Sequence, residues 1–211
     1  PPPQEAGVER VLEKEANELR APLEFIREPM LGYPMSLAGD HQKWNAALAV
    51  AAVYRAGLPL SSDSVGYALC HTTWPGRFEV IKPGVVLDGA HNAHSAEVLA
   101  ATWRQQYPGE KAALVFSAVA GKDIGRILEY LAPLASKIFI CPVDTPRALP
   151  AAELAGFLPE DAPPHELFDT FDEAFSAALA LQETILVAGS LFLVGEARAF
   201  LTEGDFQSSS Q

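Results

Sequence analysis

The sequence predicts an α/β fold, a mostly parallel sheet with helices packed on both faces, preceded by a shorter helical segment. Three observations predict it. Short runs of four or five apolar residues alternate with helical patterns from Phe78 to Leu201, as expected of strands buried on both faces. Gly and polar residues stand where the strand runs give way to helices. Finally, 49% apolar and 20% charged residues over 211 positions suffice for a substantial core without disulfide staples.

The elements follow in order. Val8, Val11, Leu12, Ala16 and Leu19 recur at helical spacing, so Val8–Ala21 reads as an amphipathic helix. Pro29, Gly32 and Pro34 make Phe25–Leu37 a loop or short hairpin. Asp40 can cap a helix from His41 to about Ala56, closed by Gly57; its small apolar run (Ala46 to Val53) reads as a buried packing helix. Ser61 can cap a short helix to about Cys70. Trp74-Pro75-Gly76 then marks a domain boundary.

Beyond it, Phe78–Ile81 and Val85–Leu87 are strands flanking Pro83-Gly84, and His94–Gln106 is a helix. Ala112–Phe116 is a strand, Asp123–Leu131 a helix stopped by Pro133, and Lys137–Ile140 a strand. Ala151–Phe157 is a short helix, Leu167 opens or ends a short strand, and Thr170–Leu181 is a helix. Thr184–Ala188 and Leu191–Leu201 close the series as strand and helix. The alternation is that of a Rossmann-like sheet. Ser208-Ser209-Ser210 is expected to be disordered.

Composition excludes several classes. The longest apolar run, Ala46 to Tyr54, is far short of the about 20 residues of a membrane helix. The amino terminus lacks the basic and apolar regions of a secretion signal, and with no initial Met the chain is expected to be part of a longer polypeptide. Cys70 and Cys141 form neither a disulfide framework nor a zinc set, which fits a reducing, cytoplasmic setting. The net charge is −12; from Ala151 onward eleven acids face one base, Arg198. An acidic surface disfavours nucleic acid and anionic membranes.

Ligands of such sheets bind beyond the carboxyl ends of the strands. Three junctions qualify: Leu87-Asp88-Gly89-Ala90-His91-Asn92, Phe116-Ser117 through Lys122-Asp123, and Ala188-Gly189-Ser190-Leu191. Unpaired N–H groups in the first turn of each following helix suit phosphate or carboxylate. Asp88 can accept from ribose hydroxyls, hold a cation or cap a turn. His91 and Lys122 can meet an anion or remain a satisfied polar group and a solvated charge. Ser190 can bind a ligand or cap its helix. His41 and Asn45, four apart, share a helix face; the Asn45 amide offers the donor and acceptor that match an adenine edge, or serves a capping network. Arg77 after Pro75-Gly76 is a phosphate clamp or an interdomain ion pair. The chain contains no Gly-x-x-x-x-Gly-Lys-Ser/Thr phosphate loop, Gly-x-Ser-x-Gly elbow or His-Glu-x-x-His helix.

Five blocks carry a family resemblance: Leu37-Ala38-Gly39-Asp40-His41-Gln42-Lys43-Trp44-Asn45-Ala46, Trp74-Pro75-Gly76-Arg77-Phe78-Glu79, Leu87-Asp88-Gly89-Ala90-His91-Asn92, Lys122-Asp123, and Gly189-Ser190-Leu191-Phe192-Leu193-Val194-Gly195. In this order they resemble the folylpolyglutamate synthase/dihydrofolate synthase branch of the Mur ligase superfamily. The resemblance implies that residues 1–71 are the tail of a central ATPase domain and residues 72–211 the Mur ligase-type carboxyl-terminal domain. It implies an ATP-dependent ligase that joins L-glutamate to dihydropteroate or a folate through an acyl phosphate. The missing amino-terminal half of the same polypeptide would then carry the phosphate loop and the ligands of magnesium, with no metal ligand in this chain. The resemblance places Asn45 on adenine, Arg77 and Asp88 on ATP, His91 and Ser190 at the catalytic cleft with the incoming glutamate, and Lys122 on the acceptor's carboxylate. Ala93 stands where the family usually has Pro, and Gly121 where it often has Asp. The chain alone is expected to be inactive. The other reading is a non-catalytic regulatory module that binds a nucleotide or amino acid.

Overall fold

The structure, a computed structural model, describes residues 2–202; Pro1 and the Ser208-Ser209-Ser210 run lie outside them. The chain divides into two compact units between Thr73 and Trp74.

The first unit holds α1 (Ala6–Leu19), α2 (Asp40–Arg55) and α3 (Ser62–His71). Helix α1 starts two residues earlier than the apolar stripe predicts, because the Glu5 carbonyl accepts from the N–H groups of Val8 and Glu9. It ends two residues earlier because Arg20 turns left-handed at φ 51° and Ala21 N–H closes on the Ala16 carbonyl. The stripe is present but uncovered: Val8, Val11 and Leu19 are exposed. Helix α2 opens at Gly39, not at an Asp40 cap; Asp40 instead reaches Lys43 at 2.7 Å. Gly57, at φ 72°, closes it as expected, with N–H groups of Gly57 and Leu58 on the Tyr54 and Val53 carbonyls. The buried packing helix expected here is not seen among the described residues, where Gln42, Ala46 and Ala47 of α2 are buried and its remaining residues are partly or fully exposed. Phe25–Leu37 is a loop without a hairpin. Ser61 caps α3 through a reciprocal box with Ser64.

The second unit is a six-stranded sheet in the order β1-β2-β6-β3-β4-β5. The strands are β1 (Glu79–Lys82), β2 (Val85–Asp88), β3 (Ala112–Phe116), β4 (Ala135–Ile140), β5 (His165–Leu167) and β6 (Ile185–Ala188). Only β1 runs antiparallel, against β2, across the Pro83-Gly84 turn. Phe78, predicted to open β1, sits instead at φ 46°, so the strand starts one residue later. Helices α4 (Ala93–Gln106), α5 (Ile124–Leu131), α6 (Ala151–Ala155), α7 (Phe171–Leu179) and α8 (Leu191–Thr202) alternate with the strands. Val85 and Leu87, Ala113 and Val115, Phe139, and Ile185 and Val187 pack with Phe171, Phe175, Leu193 and Ala197 of α7 and α8. By strand alternation Val86, Leu114, Ile138 and Leu186 point to the other face. There α4 and α5 pack together, burying Leu99, Trp103, Ile127 and Leu128. Both faces of the sheet are therefore covered, as the apolar strand runs predict. No described helix is long and apolar enough to cross a membrane.

Candidate functional site

The central strands end flush. Asp88 is level with Ala188, Ala188 with Phe116, and Phe116 with Ile140. The residues that leave this row are Gly89, Gly189, Ser117 and Cys141, so the three predicted junctions share one edge of the sheet. Because β1 is antiparallel, the segment that leads into it, with Arg77 two residues ahead of Glu79, stands at the same edge.

Asp88 is held from two sides. One carboxylate oxygen accepts the Phe78 N–H and the other the Ala90 N–H, each at 2.8 Å. Burial pushes its pKa up; those two N–H groups and the nearby Arg77 and His91 charges pull the other way. Each oxygen keeps a further lone pair for a ligand hydroxyl. The capping role and the ligand role are thus compatible in the same side chain. Arg77 is exposed, with its guanidinium beside Gly89. The Pro75-Gly76 turn that carries it is packed closely: Gly76, at φ 68°, leaves no room for a Cβ against Val194, and its carbonyl accepts the Gly89 N–H at 2.8 Å.

His91 is oriented by its own loop. Nδ1 lies 2.8 Å from the Gly89 carbonyl and donates to it, so the neutral ring carries its lone pair on Nε2. Ser190 is buried, and its Oγ accepts the Phe192 N–H at 3.2 Å, which leaves the hydroxyl proton to donate. Lys122 lies in the loop after β3, partly exposed, behind Gly121 at φ 81°. That left-handed backbone suits glycine better than the Asp often found there.

The helix starts differ from expectation. The first turn of α4 is capped by its own residues: Asn92 accepts the Ser95 N–H at 2.8 Å, and Ser95 Oγ accepts the His91 and Asn92 N–H groups. Asp123 and Ser190 likewise accept an N–H of α5 and α8. Fewer backbone donors remain for an anion than the sequence suggests, because each N-cap side chain reaches its own helix before any ligand.

Three residues escaped the sequence reading. Ser117 Oγ is fully buried at the strand edge, without a hydrogen-bond partner among the described residues. Its carbonyl oxygen lies 2.2 Å from where a Cβ on Gly189 would stand, so the β3 and β6 ends touch through a glycine. Glu79 accepts the Gly76 N–H at 2.8 Å and pairs with Arg198 of α8, bracing the turn behind Arg77. Its place in the Pro-Gly-Arg-Phe-Glu block was the available signal. The third is Gln42, in the first unit. Its Nε2 lies 3.0 Å from His41 Nε2 and its Oε1 accepts from Asn45 Nδ2 at 3.0 Å. Asn45 itself is exposed.

Residues 76–191 match the family described as Mur ligase, glutamate ligase domain. The chain belongs to that family. Within it, the chain is similar to the dihydrofolate synthase/folylpolyglutamate synthase of Bacillus subtilis, 30% identical over 77% of this chain and 40% of that protein. The Escherichia coli protein of the same name is 30% identical over 71% of this chain and 36% of its own length. Among solved structures, Mycobacterium tuberculosis folylpolyglutamate synthase complexed with ADP and AMPPCP superposes with a TM-score of 0.84 at 25% identity, covering 97% of this chain and 55% of that one. E. coli FolC in complex with DHPP and ADP gives 0.79 at 25% identity, covering 92% and 51%. The chain is of the folylpolyglutamate synthase/dihydrofolate synthase branch and spans about 40% of the length of the curated relatives, matching their carboxyl-terminal portion.

Proposed function

We propose that this Mur ligase-family chain is the carboxyl-terminal part of an ATP-dependent folate ligase that adds L-glutamate to dihydropteroate, to a folylpolyglutamate, or to both. The observation that carries the reading is the shared strand edge, where Arg77, Asp88, His91 and Ser190 follow or precede adjacent, level strand ends. Residues 1–71 belong in this reading to the end of the ATPase domain and residues 72–211 to the glutamate-ligase domain, in the cytoplasm.

Each side chain of the second unit has a task that its geometry permits, and the family resemblance assigns the adenine edge to Asn45 of the first. Arg77, exposed on a braced turn, neutralises phosphate charge. Asp88 accepts from the ribose hydroxyls with the lone pairs its backbone donors leave. The folate carboxylate takes the γ-phosphoryl group of ATP, and the amine of glutamate displaces phosphate from that acyl phosphate to form the amide. Lys122 pairs with a glutamate carboxylate, and Ser190 donates its hydroxyl proton to the same substrate. His91, with Nδ1 committed to Gly89, offers Nε2 to an ammonium or amine proton of the incoming glutamate. Such chemistry depends on positioning and charge neutralisation more than on a strong acid or base. Among the described residues no group of three His, Cys, Asp or Glu is placed to hold a metal ion. In this reading the ligands of magnesium lie in the amino-terminal half of the polypeptide, as the family resemblance implies.

The purified chain is expected to release no ADP in the presence of ATP, glutamate and a pteroate or folate, since its 211 residues contain no phosphate loop. ADP should bind it weakly in a calorimetric titration, and Arg77→Ala should weaken that binding further. Glutamate-dependent ADP release would overturn the assignment of a partial site. Tight ADP binding without turnover would favour the regulatory module.

A further inference from the structure

We propose that Leu191 is a positioning residue for Arg77: with Gly89 it forms a seat that holds the Arg77 guanidinium at the strand edge before a nucleotide arrives. The proposal rests on Arg77 being a phosphate contact, and it deepens that reading by naming what aims the side chain. None of the ion pairs among the described residues includes Arg77. The nearby Asp88 carboxylate is committed to the N–H groups of Phe78 and Ala90. An exposed arginine that no carboxylate anchors samples many rotamers, and freezing them opposes its hold on a phosphate.

The structure contains the parts of such a seat. A Cβ on Gly89 would overlap Leu191 Cδ2, and would stand 3.2 Å from Leu191 Cγ and 3.4 Å from Arg77 Nη1. These distances run from one point, so the leucine side chain and the guanidinium are neighbours over the same glycine. Leu191 fills the notch that the missing side chain leaves, and the guanidinium stands beside it. The glycine is fixed: its N–H donates to the Gly76 carbonyl and its own carbonyl accepts from His91 Nδ1, each at 2.8 Å. The leucine is fixed by its helix. Leu191, Val194 and Arg198 recur at helical spacing along one side of α8. Val194 packs on Gly76 and Arg198 pairs with Glu79, so the row backs the whole turn that carries Arg77. Val194 is 4% exposed and Leu191 51%, which makes Leu191 the point where this row leaves the core and reaches the ligand edge. A guanidinium is weakly hydrated and tolerates an apolar neighbour. That neighbour keeps water and salt from one side of the charge, which is then screened less toward a phosphate.

The test compares the chain with Leu191→Ala, each also combined with Arg77→Ala, and with the double variant Gly89→Ala/Leu191→Ala. Gly89 is outside the left-handed region, so a methyl there is compatible with the backbone and stands in ordinary contact with Arg77 Nη1 once Leu191 is shortened. The order of the Arg77 Nε–H group is followed by NMR relaxation without nucleotide. ADP is then titrated in and its affinity read from the shifts of the protein signals. The original chain is expected to show an ordered Arg77 Nε–H. Leu191→Ala should make that group mobile and weaken ADP about threefold or more, with little effect where Arg77 is already alanine. The double variant should recover both order and affinity. An unchanged Nε–H in Leu191→Ala, an unchanged affinity with that group mobile, or an equal loss with and without Arg77 overturns the proposal, as does a double variant that recovers neither. If Leu191→Ala does not fold, the double variant decides: an ordered Nε–H with the original affinity supports the seat, and a mobile one overturns it. If Arg77→Ala binds ADP as the original chain does while Leu191→Ala still loosens the guanidinium, the phosphate reading has failed and the role in nucleotide binding falls with it. A mobile Nε–H in the original chain instead refutes the seat itself.

Discussion

The Asp88 carboxylate accepts the N–H of Phe78, a residue held at φ 46°. A non-glycine residue in that region is unfavourable by about 1–2 kcal/mol, so something must hold it there. Asp88 does so while its other oxygen takes the Ala90 N–H. One side chain thereby links the start of β1 to the end of β2 and fixes the edge at which Arg77 stands. Asp88→Asn presents an amide nitrogen to one of the two N–H donors. It should lower stability by about 1–3 kcal/mol in urea unfolding. An unchanged midpoint would show that water replaces the lost acceptor and that Asp88 is dispensable to the fold.

Glu79 and Arg198 brace the same turn from the other side. Their side chains are only 23% and 33% exposed, and Glu79 also accepts the Gly76 N–H. A double-mutant cycle of Glu79→Gln and Arg198→Met should give a coupling of about 0.5–3 kcal/mol. Glutamine still accepts from Gly76, so the cycle isolates the ion pair. A coupling near zero would reduce it to an ordinary surface contact.

Glu196 of α8 accepts the Asp144 N–H at 2.8 Å. Burial raises its pKa, opposed by that bond and reinforced by the nearby Asp144 and Asp172 charges. A raised carboxylate binds its proton more tightly in the folded state than in the unfolded chain. Its contribution to stability is therefore present below the unfolded value, about 4.3, and is lost as pH rises through the folded value. Glu196→Gln removes that loss. The Tm difference, variant minus unaltered chain, should be near zero at pH 4 and grow positive toward pH 7. A difference independent of pH would mean that Glu196 titrates normally.

Gly189, at φ 110°, separates β6 from α8, and a Cβ there would lie 2.2 Å from the Ser117 carbonyl oxygen and 2.5 Å from the Phe116 ring. Both neighbours belong to a fully buried strand end and cannot yield. Gly189→Ala combines overpacking with left-handed strain and should cost roughly 3 kcal/mol or more. A thermal scan showing an unchanged Tm would mean that the β3 and β6 ends can separate.

Much of the sheet was legible because burial on both faces leaves a simple trace. Ala112–Phe116 is five apolar residues and is β3 end to end. Ser61 caps α3 as expected of a polar residue before an apolar run, and Asp123 and Thr170, read as the first residues of their helices, turn out to be the caps one residue ahead of them. The failures are tertiary. Arg20 ends α1 in a left-handed turn that carries no glycine to announce it. The apolar run of α2 does not say what covers it, and among the described residues little does. At the candidate site, Asp88, His91 and Ser190 were readable because strand ends point to them. Gln42 and Ser117 were not, since a buried amide or hydroxyl is recognisable only once its surroundings are known.

Ala93, where relatives of the resembled branch usually carry proline, offers a last test. It is the first residue of α4, the position at which a missing N–H costs a helix nothing. The preceding Asn92 lies at φ −147° and ψ 166°, the extended region that a following proline favours. The cap formed by Asn92 and Ser95 does not use the Ala93 N–H. Ala93→Pro should therefore stabilise the chain by about 0.4–1 kcal/mol, chiefly by restricting the unfolded state. That corresponds to a rise in Tm of about 1–4 °C for a chain of this size. A fall in Tm would mean that the His91–Asn92 loop must move as the chain folds around α4, and that its present geometry is not the one proline preserves.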